Sequence, residues 1–540
     1  MTKLQKIVLI TIIIFGALSR FLWLNNFPPS LNWDEVSHGY TAYSLLLTGK
    51  DQWGVSWPIF NTRAYGDYPT MLNIYLTIPF VKLFGLNPVT TRIPSALAGF
   101  LLIPLTFILT KSLFKNTNQA LVASFLVLIT PWTFFTSRAV FQSTIAQVFV
   151  VAGLYFLLSK HKNIYFLPLS ALSLGISMYA YHNARIFIPL FFIFYLILER
   201  QKLKITKTNL IALLIFLAFL IPQGFDLINP SAQARSRWVF LLNPASINYI
   251  NNQRGQIANP ILGKIMYNKV TYTITSVTLN YLNFLNPIPL FFKGTGNYQF
   301  NIPNQGLLFI ITLPFFYLGL IWTIKNYQKP NHLFLISWFF LAMFPAALTY
   351  GDFPSIRLMT ILPLPLIFTT IGLFLVIKYL RSKNIQTVFI SLFLILVSLD
   401  AIQYFQNYFT QYFTNYSPSW QYGYQPMVQY LKKHYTQYNH FYITKKYGEP
   451  HEFILYYWPW NPKSYQNDPN LIWNYHADWY WVDAFDKFIF LNDWEIINPK
   501  TPFLANSLLI TSPGNYPKSA TKIDTINYPN KTPAFDIVKL

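Results

Sequence analysis

The sequence contains no cysteine and very few charged side chains. The absence of cysteine excludes disulfides, thiolate metal sites and cysteine nucleophiles. Charged residues make up only 11% of the 540 residues, whereas soluble domains average about 25%. Hydrophobic residues make up 53% of the chain. This composition predicts a membrane protein.

Acidic residues are the scarcest charged type, with 18 Asp and Glu against 40 Lys and Arg, for a net charge of +22. Most of the excess positive charge lies in short loops that can be assigned to one side of a membrane. It therefore indicates the membrane topology before it indicates any binding partner. No basic face with a recognisable nucleic-acid-binding fold is present, and we expect no nucleic acid partner. The sequence also lacks a Walker loop, a dinucleotide glycine fingerprint, a paired-histidine metal motif and a Gly-x-Ser-x-Gly elbow.

Eleven apolar segments are predicted to span the roughly 30 Å hydrocarbon core of a membrane. They cover about 7–24, 93–114, 119–136, 138–159, 164–180, 184–199, 208–225, 306–325, 331–350, 356–378 and 385–405. Lys3 and Lys6 precede the first segment, which predicts a cytoplasmic N-terminus. No small-residue cleavage site follows it, so we expect an uncleaved span.

Basic residues gather in the loops between several of these segments. They are Lys111 and Lys115, Lys160 and Lys162, Arg200 with Lys202, Lys204 and Lys207, Lys325 and Lys329, and Lys378 with Arg381 and Lys383. Placing these loops in the cytoplasm puts the C-terminus outside, provided that a further apolar segment, 70–85, does not cross. This segment is short and contains Pro79 and Lys82, so we predict an amphipathic helix at the outer interface.

Two domains follow from this topology: a membrane domain over 1–405 and an extracytoplasmic domain over 406–540. Within the membrane domain, 25–92 is the first outer loop with its interfacial helices. The second outer loop, 226–305, is long enough to suggest a lid.

The C-terminal domain is predicted to be a small α/β domain, because helical and strand patterns alternate in it. The helix lies at about 430–435, and the strands lie at 441–444, 488–491 and 507–510. The aromatic run 456–460 is either part of its core or a surface that meets membrane or glycan.

Two adjacent carboxylates, Asp34 and Glu35, follow the first span. An ionisable residue at a membrane boundary is costly unless it is paired or functional, so the pair is a candidate site. The alternative is that both are solvated loop acids or a helix cap. A short helix is expected over 40–47, ended by Gly49 as its C-cap.

Several basic side chains are predicted on the same outer side. Arg138, Arg185 and Arg357 each lie at the outer end of a span, where a snorkelling interface arginine is the alternative. Because positive charge is disfavoured on this side, three such arginines suggest that an anionic phosphate binds there. Arg63 and Lys293 are further candidates. His182, at an outer mouth, is either an interface residue or part of the site.

This set of residues suggests transfer from a lipid-linked donor with a phosphate leaving group. One carboxylate would act as general base on an acceptor hydroxyl, while the other orients the acceptor or binds a divalent cation. The basic side chains would neutralise charge on the departing phosphate.

The chain resembles the GT-C glycosyltransferases of the protein O-mannosyltransferase and aminoarabinose transferase type, over roughly residues 5–380. The residues that carry the resemblance are Trp33-Asp34-Glu35, Gly66-Asp67-Tyr68-Pro69, Phe84-Gly85-Leu86-Asn87, Arg92 to Gly99, and Pro131 with Ser137-Arg138. The resemblance implies a mainly α, polytopic bundle of about 11 transmembrane helices with interfacial helices. It further implies inverting transfer of a mannose-like sugar from a polyprenyl phosphate.

By this resemblance Asp34 is the catalytic base, Glu35 its neighbour in the acceptor site and Arg138 the outer-loop arginine. Asp67, Tyr68 and His182 are candidates for binding acceptor or sugar. Two departures stand out. Tyr68-Pro69-Thr70 lacks the lysine of many relatives, for which Arg63, Lys293 or Arg357 would substitute, and Phe141-Gln142-Ser143 lacks an acid.

The expected partners are the bilayer, the lipid-linked donor and a lipid, glycan or protein acceptor. A transporter or flippase of lipid-linked sugars is the alternative, but it predicts charge deep inside several spans. Here the charges cluster at one face. A structural or assembly role for the outer domain would give Asp34 no function.

Overall fold

The computed structural model describes residues 1–201, 206–226, 228–229, 233, 239–499 and 501–540. Lys202 and Lys204 of the predicted basic loop, and part of the predicted second outer loop, lie outside the described residues. The chain forms two compact units. The first unit comprises Met1–Arg20, Leu97–Ser137 and Phe141–Tyr404, and the second unit comprises Phe21–Ala96, Arg138–Val140 and Phe405–Leu540. The division into domains 1–405 and 406–540 stays a prediction.

The described residues are mainly helical. The helices are α1 (Lys3–Phe21), α2 (Trp33–Thr48), α3 (Leu72–Phe84), α4 (Pro88–Phe114), α5 (Thr117–Ile129), α6 (Pro131–Phe135), α7 (Gln142–Leu158), α8 (Phe166–Ala180), α9 (His182–Glu199), α10 (Lys207–Asp226), α11 (Pro244–Gly255), α12 (Pro260–Met266), α13 (Lys269–Phe284), α14 (Leu313–Lys325), α15 (Pro330–Ala347), α16 (Leu364–Tyr379), α17 (Lys383–Asn407), α18 (Phe413–Tyr416), α19 (Tyr424–His434), α20 (Pro450–Tyr457), α21 (Pro462–Gln466) and α22 (Asp493–Ile497). Single turns of π or 3-10 helix occur at Ile288–Lys293, Ile310–Thr312, Met359–Ile361, Tyr408–Tyr412 and Ser417–Trp420.

Many of the described helices have the composition of membrane spans. Among the described residues, six helices are long and apolar enough to cross a bilayer, and six more are apolar but shorter. On α1, Ile10, Ile14 and Phe15 are each more than half exposed. Apolar surface of this extent needs a lipid environment. The chain is therefore a multi-pass membrane protein, while the number of eleven spans stays a prediction.

The second unit contains α2, α3 and the C-terminal sheet. Helix α3 is 13 residues long, which corresponds to about 20 Å and is shorter than a hydrocarbon core. Met71 and Ile74 pack on Ala42 and Leu45 of α2. The contact holds these two short helices together, and the predicted interfacial position of α3 stays a prediction.

The C-terminal part carries one mixed sheet of seven strands in the order β2-β3-β4-β1-β5-β7-β6. The strands are β1 (His440–Thr444), β2 (Ile472–His476), β3 (Trp479–Phe485), β4 (Phe488–Leu491), β5 (Ser507–Thr511), β6 (Thr521–Asn527) and β7 (Pro533–Lys539). Strand β1 pairs in parallel with β4 and β5, and the other pairings are antiparallel. The predicted small α/β domain is confirmed, and its three predicted strands are β1, β4 and β5. The run 456–460 belongs to the core, because Tyr456 is buried in it and Trp458 and Trp460 pack against it.

Candidate active site

The start of α2 is fixed by a capping box. The Asn32 side chain accepts a hydrogen bond from the Glu35 amide at 2.9 Å, and the Glu35 carboxylate accepts one from the Asn32 amide at 3.2 Å. This reciprocal pair satisfies two of the free amides at a helix start. Asp34 and Glu35 therefore lie in the first turn of a helix, which begins seven residues before the predicted start at Tyr40. Gly49 ends it with a φ of 70°, as predicted.

Glu35 is completely buried and all its carboxylate contacts are internal. Its Oε1 accepts from Arg92 Nε at 2.8 Å and from the Val140 amide at 3.1 Å, and its Oε2 accepts from Arg92 Nη2 at 3.0 Å. With the Asn32 amide, four donors converge on one carboxylate. A carboxylate bound in this way holds the backbone in place, so these contacts favour a positioning role. The predicted role of Glu35 in the acceptor site stays a prediction.

Arg92 is fully buried and completes this arrangement. Besides Glu35, it donates from Nη1 to the carbonyls of Leu24 at 3.0 Å and Pro28 at 3.2 Å, and from Nη2 to the carbonyl of Ser30. Its donors thus bind both the helix start and the segment that leads to it. Arg92 lies 57 residues from Glu35 in sequence.

Arg138 holds the same segment from another direction. It is buried, and its Nη2 donates to the carbonyls of Leu22 at 2.9 Å and Phe27 at 3.1 Å. Its guanidinium also lies over the ring of Tyr408, 5.8 Å from the centroid. These contacts satisfy carbonyls that follow the first helix. The predicted phosphate-binding role of Arg138 stays a prediction, and its described contacts are structural.

Asp34 contrasts with Glu35 because it is exposed. It occupies the second helical position, where the amides of a helix N-terminus stabilise an ionised carboxylate. One turn on, the buried His38 donates from Nδ1 to the Asp34 carbonyl at 2.6 Å. Burial lowers the pKa of His38, against the opposing effect of Glu35 and Asp67. A neutral imidazole and an exposed carboxylate therefore stand one helical turn apart.

Aromatic side chains surround this turn. Tyr65 donates from its hydroxyl to the Trp33 carbonyl at 2.6 Å, and its ring stacks on Trp479 with centroids 5.5 Å apart. Burial, followed by the charges of Glu452 and Asp34, raises the pKa of Tyr65. The charge of Asp34 therefore acts on this ring, which closes one side of the turn.

Asp67 and Tyr68 lie in a tight turn beside these rings. The Asp67 carboxylate accepts from the Tyr68 amide at 2.8 Å, and the Tyr68 hydroxyl lies 3.0 Å from that of Tyr480. The Tyr480 amide donates to the Tyr65 carbonyl at 3.2 Å. Burial and the Tyr480 contact raise the pKa of Tyr68 to about 12. The sheet thus supports the loop that carries the Asp67-Tyr68 motif.

A buried acidic group lies behind Trp479. Glu449 accepts from Trp479 Nε1 at 2.6 Å, and His451 lies 3.5 Å from both Glu449 and Glu452. Burial raises the pKa of Glu449. Gln52 donates to Glu452 at 2.5 Å and links the group to the first outer loop. Among the described residues, no three His, Cys, Asp or Glu side chains are arranged to hold a metal ion.

Arg63 belongs to the second unit, where its guanidinium lies 4.4 Å from the ring centroid of Tyr480, and the remaining candidates belong to the first unit. Arg185 donates to Asp226 at 3.3 Å and to the Met178 carbonyl at 3.2 Å, and Arg357 donates to Thr349 Oγ1 at 2.7 Å. Lys293 and His182 complete this set: Lys293 is exposed, and His182 is half-buried at the first position of α9. Their predicted roles in binding phosphate or sugar stay predictions.

Sequence reasoning missed the parts played by His38 and Arg92. His38 lies four residues after Asp34, a helical spacing that predicts a shared face once the helix start is known. Asn32 and Glu35 have the spacing of a capping box, which marks that start. No local signal pairs Arg92 with Glu35, or brings Glu449 and Trp479 to Tyr65.

The chain is similar to known membrane proteins in sequence and in fold. A model of the dolichyl-phosphate-mannose-protein mannosyltransferase family matches residues 67–224. The fold is similar to ArnT from Cupriavidus metallidurans bound to undecaprenyl phosphate, with 10% identity, a TM-score of 0.54, and coverage of 98% of this chain and 97% of that chain. It is also similar to the oligosaccharyltransferase of Archaeoglobus fulgidus in the apo form, with 13% identity, a TM-score of 0.50, and coverage of 84% of this chain and 63% of that chain. No curated protein sequence matches the chain.

The fold is similar to that of ArnT over nearly the whole chain, and the predicted GT-C-like bundle is confirmed. The family model thus matches less than a third of the chain, and the solved structures show its fold. The chain spans less than two thirds of the length of the archaeal protein.

Proposed function

We propose that this protein is an inverting glycosyltransferase that moves a mannose-like sugar from a polyprenyl phosphate to an acceptor hydroxyl on the outer side of the cytoplasmic membrane. The observation that carries the proposal is the division of labour between two adjacent acids. Asp34 is exposed at a fixed helix start, whereas the four hydrogen bonds of Glu35 fix that start. The similarity to ArnT bound to undecaprenyl phosphate supports the donor class.

In the proposed step, Asp34 takes the proton of the acceptor hydroxyl. The acceptor oxygen forms a bond to the anomeric carbon, and the bond from that carbon to the phosphate oxygen breaks. The electron pair leaves with the polyprenyl phosphate, and one displacement inverts the anomeric configuration. Basic side chains stabilise the leaving phosphate.

The acceptor binds beside the aromatic side chains around Asp34. Trp33 and Trp479 are partly exposed and offer aromatic faces at the helix start, where the buried Tyr65 ring packs against both of them. Asp67 and Tyr68 line the neighbouring turn. This arrangement suits a hydroxyl-bearing acceptor better than a transport path, which needs charge within the spans.

The test is Asp34→Asn in the purified protein supplied with radiolabelled polyprenyl-phosphate sugars and membrane acceptors. Loss of a general base costs about 10²- to 10⁴-fold in rate, so turnover should fall by that factor while the unfolding transition is unchanged. The matched control is Asp352→Asn, an exposed acid in the first unit, which should keep the wild-type rate. Wild-type turnover in Asp34→Asn would remove Asp34 from the mechanism.

A further inference from the structure

A cavity of about 460 Å³ lies in the second unit, apart from the Asp34 turn. It is formed by the loop that follows α2 and by the segment from α21 to β2. Its main side chains are Lys50, Gln52, Trp53, Arg63, Lys463 and Trp473. The volume is in the range of about 300 to 1,000 Å³ that small-ligand sites occupy.

The cavity is lined by three basic side chains and, among the described residues, by no acidic one. Lys50, Arg63 and Lys463 line it, and within the described part of the chain none of them forms a salt bridge with a carboxylate. Such a site selects an anionic ligand, because three like charges in one concavity raise the local concentration of negative groups.

Arg63 is held in this cavity by aromatic rings. Its guanidinium lies 5.0 Å from the ring centroid of Trp53, 5.3 Å from that of Trp473 and 4.4 Å from that of Tyr480. Trp53 is itself anchored, since its indole donates to the Arg63 carbonyl at 2.9 Å. Stacking orients the guanidinium and leaves its planar set of donors for a ligand oxyanion.

The cavity also offers flat apolar faces and amides. Trp473 is 44% exposed, and Gln466 and Asn467 contribute amide groups. Gln52 is only 2% exposed, and its Oε1 has no hydrogen-bond partner among the described residues. A buried hydrogen-bond acceptor without a donor costs free energy, so a ligand hydroxyl that donates to Gln52 Oε1 would be favourable.

We propose that this cavity binds an anionic saccharide, with its ring against Trp473 and Trp53, its hydroxyls on the amides and its acidic group on the cations. In the proposed function this saccharide is a part of the acceptor remote from the hydroxyl that Asp34 activates, and the inference rests on the proposed function for that assignment alone. Contacts connect the two places: Gln52 bonds to Glu452, which neighbours His451 and Glu449, and Glu449 holds the Trp479 that stacks on Tyr65.

The experiment measures binding calorimetrically on the full chain in detergent, without any donor. The probes are trigalacturonate and mannose 6-phosphate, with maltotriose and inorganic phosphate as comparisons. We expect binding of at least one acidic sugar, weakened as sodium chloride rises, and much weaker binding of both comparisons. Equal binding of maltotriose overturns the charge requirement, equal binding of phosphate overturns the saccharide requirement, and absence of binding by both acidic sugars overturns the proposal.

Two variants locate the bound sugar, each with a matched control in the same unit. Trp473→Ala should weaken binding about tenfold, and Trp494→Ala, whose ring is 70% exposed elsewhere, should not change it. Lys463→Gln should weaken binding about two- to fivefold, and Lys433→Gln should not. Equal effects within either pair would place the sugar elsewhere.

The experiments distinguish a cavity that binds no anionic saccharide from a protein that is not a glycosyltransferase. Binding without donor does not require Asp34, so an Asp34→Asn protein that binds trigalacturonate but transfers nothing keeps this inference. Conversely, transfer that persists in Trp473→Ala with an unchanged acceptor KM removes the cavity from acceptor recognition and leaves the transferase assignment intact.

Discussion

Replacing Glu35 by Gln should destabilise the protein far more than an ordinary loss of charge. Glu35 and Arg92 are both fully buried, and their two direct bonds are 2.8 and 3.0 Å long. Gln keeps one acceptor oxygen but turns the other into a donor, which then faces the donors of Arg92 and of the Asn32 amide. Breaking one partner of a buried ion pair costs about 3 to 5 kcal/mol, because the remaining charge is left without compensation.

The matched control is Glu199→Gln in the first unit. Lys160 and Glu199 form a pair of similar length, 2.9 Å, but the two side chains are 20% and 25% exposed. Water and mobile ions can replace much of such a pair, so its loss should cost about 1 kcal/mol or less. The comparison isolates burial, since both variants make the same chemical change.

The assay is equilibrium unfolding in mixed micelles, followed by tryptophan fluorescence. We expect the free energy of unfolding to fall by about 3 to 5 kcal/mol in Glu35→Gln and by about 1 kcal/mol or less in Glu199→Gln. Equal losses in the two variants would refute the positioning role. Lost turnover with unchanged stability in Glu35→Gln would return Glu35 to direct contact with the substrate.

Three further predictions use single changes. Burial holds the pKa of His38 below its ordinary 6.5, so its contribution to stability is complete above that pH and is lost as the pH falls towards the lowered value. We expect the free energy of unfolding, measured between about pH 5 and 7.5, to fall more steeply towards low pH in the wild type than in His38→Gln. The two slopes should differ by at most about 1.4 kcal/mol for each pH unit, and parallel curves would contradict this. Arg138→Met should lower the free energy of unfolding by about 2 kcal/mol and should have little effect on donor affinity. Lys293→Met should raise the donor Kd and leave the stability unchanged. The reverse pattern would make Arg138 the phosphate ligand. In this cysteine-free chain, Lys82→Cys should react with an impermeant maleimide on intact cells and Lys115→Cys only after permeabilisation, whereas a crossing α3 would exchange the two results.

The residues alone located the acidic pair and left open which acid is the base, while the resemblance assigned Asp34 as the base and Glu35 as its neighbour. Asp34 and Glu35 are adjacent and chemically similar, and their difference arises from the helix start at Trp33. The capping spacing of Asn32 and Glu35 was a readable local signal for that start. The burial of Glu35 was not readable, since it depends on Arg92 and on the Val140 amide from distant parts of the chain.

Only some strands of the C-terminal sheet could be predicted from the sequence. Strands β1, β4 and β5 are compact apolar runs with buried centres, and the sequence predicts them directly. Strands β2 and β6 are largely exposed and alternate polar with aromatic or apolar residues, so no apolar run marks them. Strand β3 was missed as well, although Trp479 and Tyr480 on it support the turn that carries Asp67 and Tyr68.

The arginines contact backbone carbonyls that the sequence did not predict. Cations predicted to lie on the outer side of the membrane suggested a bound phosphate, because positive charge is disfavoured there. In the structure, Arg92 and Arg138 donate to carbonyls of the segment between the first helix and Asp34, and Arg185 and Arg357 also donate to backbone carbonyls. Backbone that leaves a helix near lipid has carbonyls that water does not reach, and a guanidinium satisfies several of them at once. A sequence shows the cation but not the groups that it contacts, so these carbonyl contacts could not be predicted, and the phosphate-binding roles of Arg138, Arg185 and Arg357 stay predictions.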